Sequence, residues 1–332
     1  MSMKISILVP IYGVEKYISQ CAETLFEQTY NDIEYIFVDD CTPDNSVTVL
    51  QHVLANYPQR QNQVNIIHHE HNRGLGAARK TAFEAATGDF IMNVDSDDYL
   101  ALDAVEKLVA KQQETGADII SSSYASLFED GAMIAHREPH FDKDGCLKLM
   151  LIQNTLLPHI WARLIRRNLY TEHEISSVEG INMAEDLALT PRLIHAANSI
   201  SNIEDITYYY RDDSSASTFA NHLSAKHVLS LLKANQELWV YFKKNDLKDN
   251  YLFAMEIGML NAYHQAFKAG FTKRDITEVL SYKPQHLLFR ILHGLFAHKK
   301  TIALLRFAFL STKWFYKKCF FMKERHSSSV LT

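Results

Sequence analysis

Between residues 5 and 123, short apolar runs alternate with stretches of helical spacing. This alternation limits the fold more than any other feature of the chain. Ile5–Val9, Glu34–Val38, Val64–His68, Phe90–Val94 and Ile119–Ser123 read as strands. Val14–Thr29, Ser46–Tyr57, Leu75–Thr87 and Leu102–Thr115 read as helices, with Asp44, Asn45 or Ser46 available to cap the second, and with Gly88 and Gly116 ending the last two. Such βαβα order predicts an α/β fold, a mostly parallel sheet with helices on both faces. Ligands of these sheets bind beyond the carboxyl ends of the strands. The unusual polar residues gather there: Pro10 and Tyr12 after strand one, Asp39 and Asp40 after strand two, Asn72, Arg73 and Gly74 after strand three, and Asp95, Asp97 and Asp98 after strand four.

The rest of the chain is less regular. Ile160–Leu164 and Met183–Ala197 read as a turn and a helix, and Ile206–Tyr210 as one more strand. From Leu223 the pattern is helical: Leu223–Asn245, Asn250–Ala269, Lys273–Tyr282, Gln285–Phe296 and Thr301–Met322. A length of 332 residues suits two domains, or one with a large appendix. With 47% hydrophobic residues the chain has enough apolar area to offset chain entropy, so disorder is excluded as its dominant state.

Cys21, Cys41, Cys146 and Cys319 are scattered without a C-x-x-C pair, which argues against a zinc ribbon or a disulfide framework and fits a reducing compartment. No run of 18 uncharged apolar residues suggests a spanning helix. The run Ile5–Ile11 after Lys4 is too short for a signal peptide, and no small-residue cleavage site follows it, so a cytoplasmic protein is expected. The net charge of −5 is uneven. Residues 279–332 hold ten Lys/Arg and one acid, Glu324, a formal +9, which leaves −14 on the remainder. An acidic body with a basic, aromatic tail predicts a surface that meets anionic material.

Asp95-Ser96-Asp97-Asp98 places three carboxylates within four residues. Their repulsion is costly without a partner. Oxygen-only ligands favour Mg²⁺ or Mn²⁺ over zinc. The plainer reading has Asp97 or Asp98 capping a helix that begins near Leu100. Asp39-Asp40 serves equally as a polar turn or as an acceptor for a base N–H or a ribose hydroxyl. Asn72-Arg73-Gly74-Leu75-Gly76 partly resembles a phosphate-binding glycine turn, but it follows strand three. The turn Pro10-Ile11-Tyr12-Gly13 lacks the dinucleotide fingerprint, which counts against a nicotinamide dehydrogenase. Glu185-Asp186 complements a helix dipole or supplies a general base. His68-His69-Glu70-His71 looks like a metal cluster, but an exposed, non-catalytic passage is expected there.

Taken together these residues resemble a family 2 glycosyltransferase of the bacterial polysaccharide type, with a GT-A fold. The resemblance rests on Ser6–Tyr12, Val38–Asp40 through Asp44–Ser46, Asn72–Gly74 with Ala78–Arg79, Gly88–Asp89 through Asp98, and Glu185–Asp186. Trp161–Leu164 and Tyr209–Arg211 with Ser214–Ser217 add to it. It covers about residues 3–220. It implies a catalytic domain over 1–220, with a nucleotide-sugar half to about 125 and an acceptor half from 126, and a helical, basic region over 221–332. By the same resemblance the donor is a nucleotide sugar, most often a UDP-sugar, with Pro10, Tyr12 and Asp40 around the uracil and Asp39 nearby. Arg79, Asp95 and Ser96 would belong to the nucleotide-sugar site, with Asp95 near ribose and metal. Asp97 would be the main ligand of Mn²⁺ or Mg²⁺, and Asp186 the catalytic base of an inverting displacement. Trp161, Arg163, Glu185 and Arg211 are candidates for the acceptor or the diphosphate, and Arg79 for the diphosphate too.

A saccharide acceptor, in lipid-linked form, is expected, and no nucleic acid. The basic tail then predicts peripheral attachment to the inner face of the cytoplasmic membrane, against the simpler reading of a helical subdomain. Two rivals are weighed. A nucleotidyltransferase would carry a Gly-rich phosphate loop after strand one, which is missing. A non-catalytic binding protein would not need intact Asp97 and Asp186.

Overall fold

The structure, a computed structural model, describes residues 2–138, 142–153, 156–212, 224–245 and 249–295. The chain divides into two compact units: Met1–Lys143 with Pro158–His222, and Asp144–Leu157 with Leu223–Thr332.

The first unit is built on one sheet. Strands β1 (Ile5–Ile11), β2 (Ile33–Asp39), β3 (Val64–His68) and β4 (Phe90–Asn93) are parallel and stand in the order β3-β2-β1-β4. β1 is buried at every position, as a central strand covered on both faces must be. Its odd residues Ile5, Ile7, Val9 and Ile11 meet α1 (Ile18–Phe26), α2 (Ser46–Ala55) and α4 (Ala104–Thr115) through Leu25, Phe26, Leu50 and Leu108 in one apolar core. The other face takes α3 (Leu75–Ala85), whose buried Ala77, Ala78 and Ala82 allow a close approach.

Beyond β4 the sheet departs from the expected parallel order. β6 (Ile119–Leu127) runs in the sense of β4, as a helical crossover through α4 requires, but β8 (Arg163–Arg166) lies between them, antiparallel to both. β9 (Ile200–Arg211) is parallel to β6, and β5 (Tyr99–Leu100) and β7 (Met133–His136) add antiparallel edges. The result is a mixed sheet in the order β3-β2-β1-β4-β8-β6-β9-β5, with β7 on β6. Ile160–Leu164 therefore leads into a strand where a turn was expected. α6 (Asn168–Glu172) and α7 (Glu185–Ala196) complete the unit.

The second unit is helical. Helix Ala225–Lys244 packs on Asp249–Lys268, and Lys273–Val279 and Leu287–Leu295 follow. Thr272 and Asp275 form a reciprocal capping box at the third of these. Helix α5 (Lys143–Ile152) belongs here for nearly all its length. Its residues from Gly145 to Ile152 are buried except Lys148. Gly258 is needed beside it, since a Cβ there would lie 2.2 Å from the Leu151 carbonyl oxygen. The predicted helix Thr301–Met322 and the segment Ser214–Ser217 lie outside the described residues.

Candidate active site

The register Ile11–Asp39–His68 brings the carboxyl ends of β1, β2 and β3 level. Pro10 is buried in β1, while the Tyr12 ring just past it is 51% exposed. The two aspartates after β2 differ. Asp40 is buried and accepts hydrogen bonds from the Arg73 amide (2.8 Å), the Gly74 amide (2.7 Å) and the His69 ring (2.7 Å). Asp39 is less enclosed and accepts from the Thr42 amide at 2.8 Å, with the exposed His68 ring 2.9 Å away. Asp40 thereby anchors the loop that follows β3, and Asp39 is the more open of the two acids. His69 corrects the expectation of an exposed passage: its side chain is only 5% exposed, with one ring nitrogen on Asp40 and the other 2.9 Å from the Thr81 hydroxyl.

That loop is fixed from its far side as well. Gly74 has φ +88°, and a Cβ on it would lie 2.2 Å from the Asn182 side chain. A Cβ on Gly76 would lie 2.3 Å from the Val178 carbonyl oxygen, and Arg73 pairs with Glu179 at 2.9 Å. Two glycines thus let the start of α3 press on residues 178–182, immediately before α7.

This contact sets the centre of the site. Arg79, one turn into α3, is almost wholly buried and donates to Asp95 (2.8 Å), Glu185 (2.7 Å) and Asp186 (2.6 Å). Ala184 holds φ +62°, a left-handed conformation costly for a residue with a Cβ, and it turns the chain so that Glu185 and Asp186 open α7. The Ile160 amide also donates to Asp186. Three carboxylates share one guanidinium, so negative charge is in surplus. Burial, with neighbouring carboxylates adding to it, holds the Glu185 and Asp186 carboxyls above their ordinary range against the pull of Arg79. Both keep an accessible edge, 12% and 20% of the side chain.

The acidic turn after β4 is sorted in a similar way. Asp98 is buried and accepts from the Tyr208 hydroxyl (2.7 Å) and the Arg211 amide (2.8 Å); burial, then Asp97 and Asp95, pushes its carboxyl well up. The same Tyr208 hydroxyl receives the Asp95 amide at 3.1 Å. Ser96 is buried, and Asp95 and Asp97 are the half-open members. Neither Asp97 nor Asp98 caps a helix, since α4 starts at Ala104 with Asp103 before it. The Arg211 guanidinium donates to the Asp97 carbonyl oxygen at 2.6 Å and lies over the rings of Tyr17 and Tyr99. Among the described residues no three His, Cys, Asp or Glu side chains converge as a closed metal cage.

Trp161 forms a buried stack with His159 (4.1 Å), Tyr208 (4.6 Å) and Tyr210 (5.5 Å). Arg163 points into the interior. It pairs with Glu138 at 3.1 Å and donates to Ser121 and to the His159 carbonyl oxygen, so its charge is met by partners inside the unit. Burial, then the Arg163 charge, holds the His159 ring well below its usual pKa. Glu138 and Tyr208 escaped the sequence reading, since nothing local marks either as a partner across 25 or 110 residues.

Known proteins share this arrangement of elements. The chain is 27% identical over 327 residues to an uncharacterized glycosyltransferase, EpsJ, of Bacillus subtilis, covering 93% of this chain and 92% of that one. It is 30% identical to the glycosyltransferase GlyG of Streptococcus pneumoniae, over 64% of this chain and 71% of that one. Among solved structures, TarS 1–349 of S. aureus in complex with UDP-GlcNAc superposes with a TM-score of 0.63 at 20% identity, covering 94% of this chain and 88% of that one. That likeness gives the GT-A fold with C-terminal helices. The family model for glycosyl transferase family 2 matches residues 6–173, from β1 through the acidic turn and β8 to the end of α6. With the fold and the model in agreement, the chain belongs to glycosyl transferase family 2 and is a glycosyltransferase.

Proposed function

We propose that this enzyme moves a sugar from a UDP-sugar to a hydroxyl of a saccharide acceptor, with inversion. The observation that carries the reading is Arg79, which ties the carboxylate of the β4 turn to the acidic pair of α7. One cation thereby fixes the donor-side acid and the candidate base in a single frame.

On the donor side, Asp39 and Tyr12 flank the open end of β1 and β2 and suit the uracil and ribose, with Pro10 behind them. Asp40 holds the loop and Arg79 the acids, so both act as positioning residues. Asp95 and Asp97 offer hard oxygens on a half-open turn. Mg²⁺ or Mn²⁺ fits such a pair, because these ions take one or two carboxylates and complete their shell with water and phosphate. When bound there, the ion stabilises negative charge on the departing diphosphate. Arg211 stands beside Asp97 and suits the same diphosphate.

On the acceptor side, Asp186 is the base. Its raised carboxyl pKa makes it a stronger proton acceptor, and Arg79 and the Ile160 amide hold its direction. The acceptor oxygen bonds to the anomeric carbon as the bond to the diphosphate breaks. The electron pair leaves with the diphosphate, and the hydroxyl proton goes to Asp186. Glu185 shares the guanidinium and keeps Asp186 oriented. Trp161 is packed inside the aromatic stack and steadies this side of the site, with the half-buried Tyr210 at its edge.

The UDP-sugar is supported by the UDP-GlcNAc held by the like-folded TarS. We extend the reading to surface polysaccharide synthesis; a relative that glucosylates a polymer, the poly(ribitol-phosphate) beta-glucosyltransferase of Bacillus spizizenii, is 33% identical over 63% of this chain and 32% of that one. A lipid-linked acceptor and peripheral attachment at the inner membrane face fit the basic tail. No helix among the described residues is long and apolar enough to cross a membrane. Release of UDP from a panel of UDP-sugars with Mn²⁺, compared with GDP- and TDP-sugars, tests the donor. Turnover confined to another nucleotide would overturn it.

A further inference from the structure

The helix Leu287–Leu295 carries an apolar face that the described residues of the second unit leave uncovered. Leu287 is 70% exposed, Leu288 46% and Ile291 55%. At about 100° per residue these three fall on one arc of the helix. Phe289 lies on the opposite side, buried 5.4 Å from the Phe253 ring. The face is presented from a fixed base. The fully buried carboxylate of Glu256 accepts from the Gln285 amide (2.6 Å), the Tyr282 hydroxyl (2.9 Å) and His286, immediately before the first helical turn. Arg290 is exposed on the same helix, next in sequence to Ile291, and Lys283 is exposed four residues before the helix begins. Between Glu278 and Glu324 the sequence holds no acidic residue, although it holds nine Lys/Arg.

We propose that Leu287, Leu288 and Ile291 form an interfacial docking face that seats in the headgroup region of an anionic bilayer. Lys283 and Arg290 meet lipid phosphates beside it. The combination of apolar arc and one-signed flanks is what such a surface recognises, since affinity grows with buried apolar area and with each basic residue near the leaflet. A second copy of the chain fits less well: three side chains cover far less than the roughly 800 Å² per partner of a stable interface. The inference deepens the reading of peripheral attachment above and rests on it. It adds that attachment is by insertion as well as by charge.

The test uses the full chain. Wild type, Leu287→Ser/Leu288→Ser/Ile291→Ser and Lys283→Gln/Arg290→Gln are sedimented with vesicles of phosphatidylglycerol and phosphatidylcholine, and with phosphatidylcholine alone. UDP release and oligomeric state are measured on the same samples. The expected result is binding of wild type to the anionic vesicles only. The triple serine variant should lose about tenfold or more in affinity and keep wild-type UDP release, and the double glutamine variant should lose less. Serine variants that bind like wild type would overturn the docking face while leaving attachment by charge intact. Wild type that ignores both vesicles would overturn attachment itself. A dimer that the serine substitutions dissociate would assign the face to a second copy. Failure of the glycosyltransferase reading shows separately, as no UDP release from any of the three proteins.

Discussion

Two arginines of the first unit are equally buried, and they do opposite work. Arg163 meets one carboxylate, Glu138, which is as deeply enclosed as itself, and its other donors go to Ser121 and the His159 carbonyl oxygen. The pair is neutral and sealed. Arg79 meets three carboxylates, each with an open edge. Its cluster is short of positive charge, and its acids keep 12–25% of their side chains accessible. Burying a charge is costly in both places. At Arg163 the cost is offset completely by local partners, and nothing is left over to act on a substrate. At Arg79 the leftover negative charge keeps an accessible edge, where a cation or a proton can meet it.

The largest expected break in this contrast is on the donor side. Asp97→Ala removes an open carboxylate that water replaces poorly, and Mn²⁺-dependent binding of UDP should vanish in titration calorimetry while the melting temperature holds. Unchanged affinity would move the ion to another group. Next is Asp186→Asn, which keeps the shape and the frame but cannot take a proton. Its kcat should fall by about 10² or more, with donor affinity nearly constant. Near-normal turnover would pass the role to Glu185.

Arg163→Met sharpens the other side of the comparison. It strands Glu138, and chemical denaturation should show a loss of about 3–5 kcal/mol. KM for the donor, measured on the folded fraction, should stay within about twofold of wild type. A selective rise in KM would place Arg163 back at the diphosphate. The smallest effect concerns pH. The Glu185 carboxyl is raised from 4.5 to about 8 in the folded protein, burial being the main cause. The folded state therefore binds the extra proton, and this group's contribution to stability is lost as pH rises through that window. Glu185→Gln should raise the melting temperature more at pH 8 than at pH 5. An equal shift at both would mean the charge is already compensated.

The first four strands were legible because each is a short apolar run closed by a helix, and β3 runs from Val64 to His68 as expected. The region from 130 to 182 was not, although Met183–Ala197 was read as a helix and α7 spans Glu185–Ala196. β8 has four residues, too few for a period, and its place between β4 and β6 is decided by partners over 40 residues away. α5 is buried almost throughout, so no polar stripe marks it as a helix. In the site, the acids were visible as acids. Which member of each pair stays open was not, because the Gly74 amide and the Arg211 amide that claim Asp40 and Asp98 come from a loop and a strand end 34 and 113 residues away. His69 misled for the same reason: a run of three histidines and a glutamate reads as surface until Asp40 and Thr81 are known to hold its ring.

The partners of Arg79 have a bearing on how the chain is made. Asp95 follows it by 16 residues, but Glu185 and Asp186 follow by 106 and 107. During synthesis the parallel strands emerge long before two of the three counter-charges exist. A fragment ending near residue 125, where the nucleotide-sugar half was expected to close, would hold a guanidinium in its interior with a single acid to answer it. It would also expose the edge of β4 that β8 later covers. The two halves of the catalytic unit are thus joined by an electrostatic debt that only the later half can settle, and a split-protein version of this enzyme should regain its fold only when both pieces are supplied together.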